Sequence, residues 1–255
     1  MKAEEGKPIE YFGQLGGDFL QMNQLMGRNL RIRYLKNQCL GCGNDRPIFR
    51  MGYCQSCFFE LPQAGEWVIR PELSKAHRDE EDRDLEFEKE MQLQPHIVYL
   101  ADTGSVKVGV TRKSQVPTRW IDQGAGRAIP IIETPNRFLA GLAEVALKER
   151  AADKTSPGRM LTGIESGESL ESRRMELLDL VPGEVRPYIL ESPVERSFIY
   201  PVTAYPDKVK TFRLDHTDEF SGTLTGIRGQ YLLFSGQLAL NIRGHEGYFI
   251  GLDIH

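Results

Sequence analysis

The clearest chemistry in this sequence belongs to its four cysteines, which stand as Cys39-Leu40-Gly41-Cys42 and Cys54-Gln55-Ser56-Cys57 in a 255-residue chain with no others. Two CxxC turns can bring four thiolates to one tetrahedral centre, each sulfur about 2.3 Å from the metal. Gly41 and Gly43 suit such tight turns. The short interval between the pairs favours a compact zinc ribbon over a treble-clef finger. Two disulfides are the alternative, a weak one in a reducing compartment. A redox CxxC would need a strand and a helix start around it, which Gly52-Tyr53 and Phe58-Phe59-Glu60 do not suggest. No fifth ligand stands nearby, so the expectation is a closed structural Zn2+ site. His77, His96, His216, His245 and His255 are dispersed and show no metal-ligand spacing.

A second concentration of chemistry is electrostatic. The chain carries a formal charge of -4, yet Lys107, Arg112, Lys113, Arg119, Arg127 and Arg137 gather in one segment. A phosphate-binding surface needs such a local excess, so DNA or RNA is the expected partner. With 40% hydrophobic and 27% charged residues the composition is that of a globular protein. No apolar run approaches the roughly 18 residues that span a bilayer, so no membrane is expected. The start lacks the apolar core of a signal peptide, and the expected compartment is the cytoplasm.

The elements that must position these residues follow from periodicity. Leu30, Ile32 and Tyr34 alternate with Arg31, Arg33 and Lys36 as in a half-buried strand, which the metal would anchor. The charged run from Arg78 through Asp84 to Glu90 reads as a solvated helix or a mobile linker. Residues 97–100 and 106–110 read as a hairpin around Asp102-Thr103-Gly104-Ser105. A helix begins at Pro117 and stops at Gly124, a short strand covers 129–132, and a helix covers about 136–150. Glu144 lies among small and apolar residues of that last helix. Residues 169–180 suggest an amphipathic helix. Four short strands, near 223–225, 230–234, 238–242 and 248–252, suggest a small barrel or curled sheet, their glycines explained by turns and bulges. The expected fold class is α+β. The expected division is 1–94 (strand, zinc ribbon, acidic linker), 95–182 (a small α/β domain) and 183–255 (a β-rich module).

The order strand, turn, strand, helix, strand, helix resembles the GIY-YIG nuclease superfamily. Val98-Tyr99-Leu100 stands where the first name motif would be, and Lys107-Val108-Gly109 where the second would be. The resemblance implies that Tyr99 assists deprotonation of a water, Arg119 stabilises phosphate, and Glu144 holds a divalent cation, Mg2+ or Mn2+. It assigns Tyr99, Lys107, Arg119 and Glu144 to a catalytic centre, and phosphate contacts to Lys107, Arg112, Lys113, Arg119 and Arg127. Lys107 replaces the motif tyrosine and is a poor general base unless its pKa is depressed. Gln123 stands where several of these nucleases have a histidine. A relative that binds nucleic acid without cutting it is therefore one implied outcome. On pattern alone Tyr99 reads as a core aromatic, Arg119 as a partner for Asp122 or Glu144, and Trp120 as a packing residue.

The whole order also resembles a bacterial family of unknown function. The specific strings are the cysteine knuckles, Pro95-His96-Ile97-Val98-Tyr99-Leu100-Ala101, Val106-Lys107-Val108-Gly109-Val110-Thr111-Arg112, Pro117-Thr118-Arg119-Trp120-Ile121-Asp122-Gln123 and Gly226-Ile227-Arg228-Gly229-Gln230. Members often carry further cysteines before the central domain, where this chain has the acidic stretch 74–94. A second metal site is not expected. The competing functional reading is a non-enzymatic platform for protein partners, built on the zinc ribbon and the β module.

Overall fold

The structure is a computed structural model describing residues 1–15, 18–151, 157–217 and 219–255. In chain order its strands and α-helices are β1 (Phe12–Leu15), β2 (Asp18–Gln21), β3 (Asn29–Asn37), α1 (Gln55–Glu60), α2 (Leu85–Gln92), β4 (His96–Asp102), β5 (Val106–Arg112), α3 (Thr118–Asp122), β6 (Arg127–Thr134), α4 (Arg137–Ala151), α5 (Pro157–Leu161), α6 (Leu170–Leu178), β7 (Arg196–Ser197), β8 (Lys210–Phe212), β9 (Glu219–Arg228), β10 (Tyr231–Phe234), β11 (Leu238–Asn241) and β12 (Tyr248–Ile254). This is the expected α+β class. Among the described residues no helix is long and apolar enough to cross a membrane.

The chain divides into two compact units. One comprises Met1–Phe59, Leu161–Gly163 and Phe198–His255, the other Glu60–Met160 and Ile164–Ser197. They do not follow the three consecutive segments expected from sequence, because the first unit is assembled from both ends of the chain. Its six-stranded sheet has the order β12-β3-β9-β10-β11-β8. The strand predicted from the alternation of Leu30, Ile32 and Tyr34 is β3. It lies between β12 and β9, antiparallel to both, and buries Leu30 and Ile32. The C-terminal strands therefore do not form a separate module. Leu224, Ile227, Leu232, Leu233 and Phe234 on β9 and β10, with Ala239 and Leu240 on β11, fill its core. Gly229 and Gly236, at φ 59° and 77°, make the tight returns that side-chain-bearing residues rarely adopt.

The second unit is built on a four-stranded antiparallel sheet of order β5-β4-β6-β7. The predicted hairpin is β4 and β5, and the predicted third strand is β6. All seven residues of β4 are buried. Val98 and Leu100 join Val106, Val108 and Ile129 from β5 and β6, Ala140, Ala143 and Leu147 from α4, and Leu170 and Leu177 from α6 in one core. Asn136 begins α4 by accepting from the Leu139 N–H at 3.0 Å, and Ser169 begins α6 by accepting from the Ser172 N–H. Met175 of α6 stays 58% exposed, so its predicted apolar face is narrower than the sequence suggested.

The charged run before β4 is not a linker. Asp84 caps α2 by accepting from the Phe87 N–H. Glu88, counted among the solvated acids, is wholly buried, and its carboxylate accepts from the backbone N–H groups of Asp82 (3.0 Å), Arg83 (2.8 Å) and Asp84 (3.1 Å). One carboxylate thus folds the chain back on its own helix, which composition could not reveal. Replacing Glu88 with Ala strands these donors in a buried site and should cost about 3 kcal/mol. Replacing exposed Glu86 should cost almost nothing. Thermal denaturation of the two variants against the parent protein checks this.

Candidate functional site

The cysteine cluster lies in the first unit. Cys39 follows β3 almost directly, and the Gln38 N–H donates to the Gly247 carbonyl (2.7 Å) just before β12. Gly43 donates back to the Cys39 carbonyl (2.8 Å), closing the first turn, while α1 carries Cys57. A side chain on Gly247 would reach within 2.7 Å of Ile48, so the knuckle loop sits close against the start of β12. The four Sγ atoms lie within 4.8 Å of one another, with Cys42 and Cys54 4.0 Å apart. A tetrahedron of sulfurs about 2.3 Å from one ion has edges of about 3.8 Å, so little movement would seat a metal. These four cysteines could hold a metal ion. Burial opposes ionisation of Cys39, but N–H groups of Cys54, Cys42 and Gly41 outweigh it and bring its pKa down to about 6. Burial and the neighbouring thiols push Cys57 up to about 12.

The other predicted residues belong to the second unit. Alternation puts Tyr99 on the opposite face of β4 from Val98 and Leu100. Opposite it on β5 stands Gly109, where a Cβ would come within 2.7 Å of the phenol oxygen, so only a glycine leaves room for the ring. Trp120 of α3, buried as expected, packs at 5.7 Å from the Tyr99 ring. The phenol is inaccessible to solvent, and its hydroxyl has no hydrogen bond of good geometry among the described residues. Burial raises its pKa to about 12. Arg119 and Gln123 near the hydroxyl oppose that rise, and the charge of Glu144 adds to it. Lys107 pairs with Ala101 across the β4–β5 ladder, and alternation puts it on the Tyr99 face. Tyr99 and Arg119 therefore come together, with Glu144 within electrostatic reach, while Lys107 shares their face of the sheet at the Ala101 position.

The remaining basic residues are engaged elsewhere. Arg127 pairs with buried Asp102 (2.9 Å), donates to the Glu168 carbonyl (2.9 Å) and reaches Glu195 (3.5 Å). Lys113 pairs with Glu133 (2.7 Å), and Arg112 donates to the Met91 sulfur (3.1 Å). Glu144 pairs with Lys148 (3.0 Å). It also lines a cleft of about 370 Å³ with Glu72, Glu149, Arg70 and Lys148, where three carboxylates face two cations. Such a lining does not favour a phosphodiester. Among the described residues the four cysteines form the one group of three or more ligating side chains drawn together, and Glu144 belongs to no such group.

Sequence reasoning missed the segment that lies along α4. Residues 62–78 form a series of short 3-10 turns. Trp67 and Val68 offer their carbonyls to the Arg137 guanidinium (3.0 and 2.7 Å), while the Trp67 indole lies 5.6 Å from it. Burial brings the pKa of Arg137 down to about 10. His77 stacks on Phe138 at 4.3 Å. The one available signal was Gly141, a poor helix former in mid-helix. A Cβ there would stand 2.3 Å from the Glu72 nitrogen.

The family model described as "Protein of unknown function (DUF2797)" matches residues 27–250, and the chain belongs to that family. No curated protein and no solved structure matches the chain.

Gly141→Ala gives the sharpest check of this packing. In an ordinary helix interior the change would stabilise by about 1 kcal/mol. Here the backbone of residues 71–72 must move, and a loss of about 2 kcal/mol is expected, read as a lower midpoint in denaturant.

Proposed function

We propose that this protein binds nucleic acid, with a backbone phosphate received by the half-buried Arg119 and Lys107 beside Tyr99, and that Cys39, Cys42, Cys54 and Cys57 hold a structural Zn2+. The observation that carries the first part is the half-buried Arg119 guanidinium, which acts on both the Tyr99 hydroxyl and Arg137. A phosphate oxygen would accept from the Arg119 guanidinium, a charge-assisted hydrogen bond stronger than a neutral one. Arg112 and Arg119 both act on Arg137, so positive charge is gathered near it. With a pKa of about 12 the phenol keeps its proton near neutral pH, so it does not serve as a base. That favours binding over cleavage.

The GIY-YIG resemblance supports a second reading, hydrolysis of a phosphodiester with Mg2+ or Mn2+ at Glu144. Its favouring observation is that the charge of Glu144 reaches both Tyr99 and Arg137. In it, a water oxygen would bond to phosphorus as the bond to the leaving oxygen breaks, Arg119 balancing the developing charge. Glu144 would be the residue holding the cation.

One titration separates the two. At low salt, Arg119→Ala should weaken binding of mixed DNA and RNA probes on the order of tenfold, because one charge-assisted phosphate contact is lost. Glu144→Ala should leave that affinity nearly unchanged. Cleavage by the parent protein in Mg2+ or Mn2+, lost in Glu144→Ala, would instead establish the hydrolase. No binding at low salt would reject both readings and favour a platform for protein partners.

For the metal, a closed sulfur set of this size suits zinc, and among the described residues no fifth ligand joins the group. Purified protein should carry one zinc per chain by elemental analysis. Cys54→Ser should lose it together with thermal stability, because metal-binding energy is folding energy at such sites.

A further inference from the structure

The metal knuckle carries an aromatic cluster that the binding centre does not use. Phe49, Phe58 and Phe59 have ring centroids 5.2, 5.7 and 5.3 Å apart in the pairs 49–58, 49–59 and 58–59. Their positions are fixed by the knuckle. Phe58 and Phe59 directly follow Cys57 on α1, and the Phe49 N–H donates to the Tyr53 carbonyl (2.7 Å) next to Cys54. Despite this rigid setting, Phe49 is 45% and Phe59 58% exposed. The Arg50 guanidinium lies 5.5 Å from the Phe49 ring. Arg46 and Arg50 are exposed, and neither makes an ion pair among the described residues.

We propose that this cluster is a platform on which unpaired bases of single-stranded nucleic acid stack, with Arg46 and Arg50 meeting the adjoining phosphates. The proposal rests on the reading of this chain as a nucleic-acid binder and adds a second contact surface in the first unit. Rings packed against one another beside the cysteine turns lose little freedom when a base covers them. Every base has a π-face, so such a platform tolerates sequence. The guanidiniums decide between partners: an apolar protein surface would leave them unmatched, whereas each nucleotide brings one negative charge with its base.

The test uses the full-length, metal-loaded protein and three fluorescent probes of equal length: a single-stranded pyrimidine oligonucleotide, a duplex, and an abasic strand that keeps the phosphates. In Phe59→Ala and Phe49→Ala, affinity for the single strand should fall on the order of tenfold each. Affinity for the abasic strand should not change, and metal content should match the parent protein. Phe59→Trp should retain affinity, and its fluorescence should be quenched by the single strand, since the native Trp67 and Trp120 are buried. Equal affinity of the alanine variants and the parent for the single strand, with binding still weakened by Arg119→Ala, overturns the platform and leaves the binding centre standing. No binding of any probe by the parent protein overturns both. Self-association of the parent, lost in Phe59→Ala and unaffected by the single strand, would reassign the rings to contact between copies of this chain.

Discussion

A strand buried along its whole length admits polar side chains only where partners are built for them, and β4 imposes that requirement on the second unit. Asp102 at its end meets it with Arg127, the Gly104 N–H, and both the N–H and hydroxyl of Ser166. The result is a carboxylate held below its usual pKa, the hydrogen bonds from Ser166 and Arg127 outweighing burial. At the other end the His96 Nδ1 lies 2.7 Å from the Gln94 carbonyl, and burial takes its pKa down to about 4. Its Nε2 has no well-made hydrogen bond among the described residues, and the same holds for Tyr99 in the middle of the strand. Its ring is housed by Gly109 and Trp120, but its hydroxyl has no well-made hydrogen bond. The fold satisfies Asp102 at one end of β4 but leaves the His96 Nε2 and the Tyr99 hydroxyl without a well-made hydrogen bond among the described residues, and the phosphate is proposed to meet Arg119 beside that hydroxyl.

The same requirement sorts the basic residues. From sequence, six cations in one segment look equivalent. In the structure Arg127 neutralises a buried carboxylate, Lys113 balances Glu133, and Arg137 anchors the turns of residues 62–78 through two carbonyls. Charge density along a chain therefore overstates the charge available to a ligand. Arg119 stands apart because its influence falls on the Tyr99 hydroxyl and on Arg137, at the place where a donor lacks its acceptor.

Local patterns were legible in the sequence, and distant pairings were not. The cysteine cluster, the β4–β5 hairpin, the α6 helix and the alternation of β3 each depend on residues a few positions apart. The placement of β3 between β12 and β9 depends on ladders such as Ile32 with Leu252 and with Phe220, which join opposite ends of the chain. No local periodicity encodes that choice. Glu88 misled for a related reason: in a run of acids nothing marks the one whose carboxylate will be claimed by three backbone N–H groups. The turns along α4 were hidden because 3-10 segments have no apolar period, and Gly141 alone hinted at a close approach.

The most direct test of the central claim is to follow the arginine Nε–H signals of the protein by NMR while a short oligonucleotide is added at low salt. The expected result is a progressive shift of the Arg119 signal, with the Arg127 signal unmoved because its guanidinium is already committed to Asp102, Glu168 and Glu195. An unmoved Arg119 signal at saturation, or shifts confined to arginines distant from Tyr99, would contradict a phosphate site at the centre of β4.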